Sequence, residues 1–266
     1  MLQYPGFNPI AFEIGPLKVH WYGIMYLIGF AGAWYLARRR AARPASTWKA
    51  SDVDDLIFFC MLGVIAGGRI GYVLFYGMGF WANDLWYPLR ITEGGMSFHG
   101  GLLGVLGALS LFARMRRRRI ADVLDFTAPL PGLGIFFGRI GNFINGELWG
   151  KPTSLPWGFN VNGQVLHASQ LYEAFLEGLV LFCVLWWFTS RARPRLAPSG
   201  LFLLIYGASR FLVEFVRVPD AQVGYLAGGW FTMGQLLSLP MILGGAALLW
   251  WAYRSRQPSG NLAPAQ

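Results

Sequence analysis

Charge is scarce in this sequence. Only 13% of its 266 residues are Asp, Glu, Lys or Arg, about half the share found in an ordinary soluble domain. With 55% hydrophobic and 17% aromatic residues and a mean hydropathy of +0.43, that scarcity excludes both a water-soluble enzyme and a disordered chain. Cysteine is nearly absent: Cys60 and Cys183 both lie within apolar runs, FFCMLG and LFCVLW. No disulfide framework or paired-thiol metal site can be built from them, and they read as packing or lipid-facing residues. The three histidines, His20, His99 and His167, are too far apart to show a metal-ligand spacing. No metal site is therefore expected. The N-terminal residues also lack the pattern of a cleavable signal peptide, because the first apolar run starts late and has no small-residue cleavage site.

What is present is a series of long apolar segments. Seven are long enough to cross a bilayer, at roughly 20 residues each: residues 21–37, 56–76, 94–113, 123–144, 171–189, 200–216 and 230–253. The fourth is interrupted by Asp125, Pro129, Pro131 and Arg139. The expected fold class is an all-α polytopic membrane protein of about seven transmembrane helices. It forms a single integral membrane domain over residues 1–266.

Arginine and lysine orient the chain. Alternate loops hold fifteen of them, namely Arg38, Arg39, Arg40, Arg43, Lys49, Arg114, Arg116, Arg117, Arg118, Arg119, Arg191, Arg193, Arg195, Arg254 and Arg256, whereas the opposite loops hold Lys18, Arg90, Lys151 and Arg217. The positive-inside rule then predicts an outer N-terminus and a cytoplasmic C-terminus. A formal charge of +9 raises the question of nucleic acid. Short juxtamembrane clusters are better explained by topology and by anionic lipid, so no nucleic-acid partner is expected.

Three cations, Arg69, Arg139 and Arg210, fall inside predicted spans. Each lies five to seven residues from the outer end, on the order of 10 Å deep at 1.5 Å per residue. A buried charge is expensive and marks function by default, although each could be a snorkelling or helix-pairing group. Arg69, in GGRIGY, has the least polar company and is the most structural in character. Other polar residues share that level. They include His99 at the start of the third span, Tyr22 and Tyr26 on one helix face, Gln170, Tyr172 and Glu173 opening the fifth span, and Glu177 one turn deeper. Asn142, Asn145 and Glu147 follow Arg139, and Glu214 stands four residues after Arg210 as its counter-ion. GRIG recurs at 68–71 and 138–141, too short a string to establish a repeat in so Gly-rich a chain.

Arginines just below an outer surface suit an anion partly buried in lipid, above all a phospholipid head group, because the guanidinium binds phosphate bidentately and keeps its charge when desolvated. His99 adds a group able to move protons near neutral pH. Transfer chemistry at a lipid head group follows, with transport of an anionic lipid as the rival. A transporter places its polar groups near the midplane and shows a clear internal repeat, neither of which is evident. A non-catalytic membrane chaperone would give no reason for buried arginines.

The residues also carry a resemblance. GRIGNFINGELWG at 138–150 resembles the signature of the bacterial prolipoprotein diacylglyceryl transferase family. HGGLLG at 99–104 is similar to that family's second motif, with Leu103 where isoleucine is usual, and WYG (21–23), HASQLYE (167–173) and YGASRF (206–211) resemble further segments. The resemblance spans nearly the whole chain. It implies a seven-span bundle in the bacterial inner membrane, its N-terminus periplasmic, with a small periplasmic head segment at 145–168 and no metal or organic cofactor. Phosphatidylglycerol and the lipobox cysteine of a prolipoprotein signal peptide meet there at the bilayer. The sn-1,2-diacylglyceryl group passes to the thiol, a thioether forms, and glycerol 1-phosphate leaves. Arg139 and Arg210 would hold the phosphate, and either His99 or the arginine field would activate the thiol. Tyr22, Tyr26, Asn142, Asn145, Glu147 and Tyr206 would bind the head group, Glu214 would support Arg210, and Gly150 would allow the turn into the head segment.

Overall fold

The computed structural model describes residues 1–15, 17–90, 94–219 and 224–262, for Leu17 the backbone only. In chain order come β1 (Leu2–Gln3), β2 (Ile10–Ile14), β3 (Leu17–His20), α1 (Trp21–Ala41), α2 (Ala50–Tyr76), α3 (Met78–Asn83), α4 (Phe98–Met115), α5 (Ile120–Thr127) and α6 (Pro131–Ile144). They are followed by β4 (Phe159–Val161), β5 (Gln164–Leu166), α7 (Ser169–Glu173), a π-helical stretch (Ala174–Val180), α8 (Leu181–Phe188), α9 (Ala197–Val213), β6 (Tyr225–Ala227), β7 (Phe231–Thr232) and α10 (Met233–Ser255).

Among the described residues, four helices are long and apolar enough to cross a membrane: α2, α4, the continuous helix Ser169–Phe188 and α10. A fifth crossing follows if α5 and α6 count as one span bent by 47°. The protein is thus mostly helical and multi-pass. The bend falls where the sequence places Pro129 and Pro131. A proline lacks the N–H that would continue the ladder and clashes with the preceding turn, so α6 restarts with Pro131 at its first position. α1 has 21 residues and ends in Arg38, Arg39 and Arg40, and its Trp, Tyr and Gly content makes it less apolar than the four. α9 has 17 residues and is shorter than a full span.

An all-α expectation omits the short strands. β1, β4 and β5 form one small sheet, β1 parallel to β4 and β4 antiparallel to β5. β2 and β3 form one hairpin and β6 and β7 another. Between β4 and β5 lie Asn162 and Gly163, both at positive φ (51° and 85°), the pair that a tight hairpin turn demands.

The chain divides into two compact units. The first comprises Met1–Ala37 and Asp125–Ser259, the second Arg38–Leu124 and Gly260–Gln266. In the second unit, α2 and α4 meet through glycine. A Cβ at Gly104 would lie 2.0 Å from the Gly63 carbonyl oxygen, and one at Gly100 would lie 2.3 Å from that of Gly67. The backbones touch because nothing stands between them, the way apolar helices gain contact when no hydrophobic effect drives them together. Below this seam Trp48 stacks on Phe112 (5.8 Å between centroids) and donates to the Asn261 side chain at 2.8 Å.

The first unit uses the same device. Gly134 approaches Gly29, where an added Cβ would be 3.0 Å from the Gly134 Cα, and Gly141 lies against Tyr22. These contacts seat α1 on α6. Gly178 in the π-helical stretch packs on the Phe136 backbone, and Gly245 of α10 on Leu204 and Gly200 of α9. Four helices thereby come close enough for side chains from α6, α7, the π-helical stretch and α9 to share one cluster.

Candidate functional site

That cluster is made of charge. Arg139 on α6 places Nε 2.9 Å from Glu173 Oε2 and Nη2 3.9 Å from Glu177 Oε2. Arg210 on α9 reaches Glu173 Oε1 at 2.8 Å and Glu177 Oε1 at 3.8 Å, and its other nitrogen pairs with Glu214 one turn on. Arg217, in the turn after α9, pairs with Glu173 and sets Nε 3.2 Å from Glu214 Oε1. One carboxylate, Glu173, thus binds three guanidiniums. Thr232, at the start of α10, donates its hydroxyl to Glu214 at 2.7 Å.

Three guanidiniums and three carboxylates balance formally. The two signs are not equally buried: the Glu173 and Glu177 side chains are 0% exposed, against 23%, 20% and 14% for Arg139, Arg210 and Arg217. The carboxylates form the floor and the guanidiniums the accessible side. Removing one partner from such a cluster would strand a buried charge, a cost of roughly 3–5 kcal/mol. The floor owes its shape to the fifth predicted span. Glu173 and Glu177 are four residues apart where α7 gives way to a π-helix, an irregularity often found at functional sites.

Around the cluster stand the polar residues expected from the sequence. Tyr22 and Tyr26, one turn apart on α1, share a hydrogen bond of 3.1 Å between their hydroxyls. Tyr22 is within electrostatic reach of Arg139 and Glu147. Asn142 Nδ2 and Asn145 Nδ2 donate to the two oxygens of Glu147 at 3.3 and 3.1 Å. Tyr206 stacks on Phe202 with centroids 5.9 Å apart and is within electrostatic reach of Glu177, Arg210, Arg139 and Glu173. Gly150 is pinched: an added Cβ would be 2.4 Å from the Val216 carbonyl oxygen and 2.9 Å from His167 Cβ. Its N–H donates to the His167 carbonyl at 2.8 Å, and the Lys151 N–H donates to the Val216 carbonyl at 2.8 Å, which ties the 145–168 segment to the turn carrying Arg217.

Arg69 has the structural role its sequence context suggested, whereas Arg217 and Glu173 differ from expectation. Arg69 belongs to the second unit, and its guanidinium donates to the backbone carbonyls of Tyr87 (2.7 Å), Pro88 (3.1 Å) and Gly95 (3.4 Å) as well as Gly94. It lies over the Tyr72 and Tyr87 rings and fastens Tyr87, Pro88, Gly94 and Gly95 to α2. The third guanidinium on the carboxylates is instead Arg217, which charge counting assigns to an outer loop. Its signal was its spacing, seven residues after Arg210 and three after Glu214, which puts all three on one face. Glu173, placed at the right level but given no role, is the hub.

His99 is also in the second unit, exposed in the first turn of α4 with its ring edge-on to Phe98. His167, in the head segment, places Nδ1 3.2 Å from the Tyr172 hydroxyl, which also accepts from Trp157 Nε1 at 3.1 Å. Partial burial, and then the positive charge of Lys151, hold the His167 ring below its ordinary pKa.

A helical, multi-pass membrane protein with arginines clustered on a carboxylate floor defines a class, the membrane enzymes that handle anionic lipids. Comparison with known sequences makes this specific. Residues 9–251 match the family described as prolipoprotein diacylglyceryl transferase. The chain is 58% identical over 258 residues to the phosphatidylglycerol–prolipoprotein diacylglyceryl transferase of Azotobacter vinelandii, covering 96% of this chain and 97% of that one. It is 54% identical over 269 residues to that of Pseudomonas fluorescens (99% and 100% covered), and 57% identical over 260 residues to that of Methylococcus capsulatus (96% and 99%). The chain belongs to the prolipoprotein diacylglyceryl transferase family.

Proposed function

We propose that the Arg139, Arg210 and Arg217 guanidiniums grip the phosphate of phosphatidylglycerol while its diacylglyceryl group is transferred. The family's reaction is transfer of that group from phosphatidylglycerol to a prolipoprotein in lipoprotein maturation, and this chain is a transferase of that kind. The observation that carries the assignment of roles is the convergence of the three guanidiniums on Glu173, with the cations on the less buried side.

The lipobox thiol loses its proton, sulfur attacks the sp³ glyceryl carbon bonded to the phosphate oxygen, a C–S bond forms and the C–O bond breaks. Glycerol 1-phosphate leaves with the bonding electrons. No carbonyl is attacked, so no oxyanion hole is needed. The barrier lies in forming the thiolate and in accommodating charge on the leaving phosphate, where preorganised cations contribute most. A free thiol with a pKa of about 8.5 needs a base or nearby cations. His99 is the base in this reading, supported by its motif and the exposure of its ring, and contributes about 10²–10⁴ in rate. Tyr22, Tyr26, Asn142, Asn145, Glu147 and Tyr206 line the head group, and Glu214 orients Arg210 and Arg217. Gly150 holds the head segment against the turn that carries Arg217. The chain crosses the bacterial inner membrane seven times, with residues 145–168 forming a periplasmic head, the N-terminus periplasmic and the C-terminus cytoplasmic.

The test uses purified protein, phosphatidylglycerol and a lipobox peptide. The peptide should gain one diacylglyceryl unit as glycerol phosphate is released, and a Cys→Ser peptide should do neither. Release with the serine peptide would falsify thiol transfer. The His99→Asn variant should need higher pH for the same rate; an unchanged pH profile would return thiol activation to the arginines.

A further inference from the structure

The polar side chains around the charge cluster differ in one respect. Asn142 and Asn145 give their amide N–H groups to Glu147, Tyr22 and Tyr26 bond to each other, and Ser169 donates to the Leu148 carbonyl at 2.6 Å. The Gln170 side chain is different: it is 0% exposed, and neither its amide nitrogen nor its amide oxygen has a hydrogen-bond partner among the described residues. Burying both ends of an amide unsatisfied is costly, and such a group in a native fold calls for an explanation.

Its position supplies one. Gln170 precedes Glu173 by three residues on α7 and so shares its face, about 4.5 Å nearer the helix start at 1.5 Å per residue. Helical side chains lean toward the N-terminus, which here is the end where the 145–168 segment joins. If the guanidiniums on Glu173 hold the phosphate, Gln170 stands one turn beyond it, on the side away from Glu177 and the floor. The part of the lipid beyond the phosphate is the free glycerol. Each of its hydroxyls both donates and accepts, and a carboxamide is the one uncharged side chain that offers a fixed donor beside a fixed acceptor.

We propose that Gln170 reads the glycerol hydroxyls of the substrate head group and sets the preference for a hydroxylated head group. This rests on the assignment of the phosphate to Arg139, Arg210 and Arg217. Gln170 contacts the leaving group and takes no part in bond making.

The experiment compares two lipids in mixed micelles with the full-length protein and a lipobox peptide: phosphatidylglycerol, and phosphatidylpropanol, which lacks both hydroxyls but leaves as a phosphate monoester of matched chemistry. The wild type should favour phosphatidylglycerol by about 10⁴-fold in kcat/KM, as sites built to hydrogen-bond a substrate hydroxyl do. In Gln170→Leu that ratio should fall to within about threefold of one. A wild-type ratio near one overturns this proposal alone. So does a Gln170→Leu enzyme that loses activity on both lipids in parallel with the ratio intact. Gln170→Met, closer in shape, gives the same readings if the leucine variant does not accumulate, and the wild-type comparison needs no variant. Failure of the wild type to use phosphatidylglycerol overturns the transfer reaction itself, and the role of Gln170 with it.

Discussion

Arginine 139 is placed so that its charge and its shape can be separated. Its Nε and Nη2 point at different carboxylates, Glu173 and Glu177, which requires a planar fork; lysine would bring the charge as a single point. Arg139→Lys should lower kcat/KM by about 10²–10³ with the thermal unfolding midpoint little changed, and wild-type turnover would remove Arg139 from phosphate binding. His167 allows a test of pH. Burial and Lys151 hold its ring below the usual histidine value, so the unfolded chain binds that proton more readily than the folded one. Stability from this residue is therefore complete above the ordinary pKa of about 6.5 and declines as pH falls through that value toward the lower folded one. Unfolding midpoints measured from pH 8 to pH 5 should fall less steeply in His167→Gln than in the wild type. Identical slopes would show that the ring's surroundings do not matter.

Among the helices, the α2–α4 seam is the most sharply defined contact. Gly104→Ala would drive a methyl group into the Gly63 carbonyl, 2.0 Å away, whereas Gly107→Ala meets nothing within 4 Å. The first should cost at least about 2 kcal/mol by overpacking. The second should be neutral or stabilising by up to about 1 kcal/mol, since alanine is the better helix former. Urea or thermal unfolding in detergent distinguishes them, and equal effects would mean the backbones do not touch there. The apolar runs made the long helices legible, and Pro129 and Pro131 marked the bend between α5 and α6. The Asn162-Gly163 turn was legible too, but an expectation of helices alone passed over it. What could not be read was pairing. Nothing local says that Arg69 turns to backbone carbonyls while Arg217, counted with the loops, reaches Glu173. Both outcomes depend on which helices approach, and glycine contacts between distant segments decide that.

At the scale of the whole molecule, the proposed orientation can be tested with single cysteines. In a background lacking Cys60 and Cys183, a cysteine at Asn162 should react with a membrane-impermeant maleimide added to spheroplasts. One at Arg256 should react only after the membrane is opened, and the reverse pattern would invert the topology. The charge cluster has a consequence of its own. Its cations are already matched by carboxylates, so a small ion such as chloride or sulfate would shed its hydration for no net gain and stays in the water. A phospholipid comes from the bilayer with most of its length already dry, and in the proposed role its phosphate meets the guanidiniums on their less buried side while Glu173 keeps its hold beneath. A carboxylate in that position keeps the three guanidiniums assembled and their charge closed to small ions.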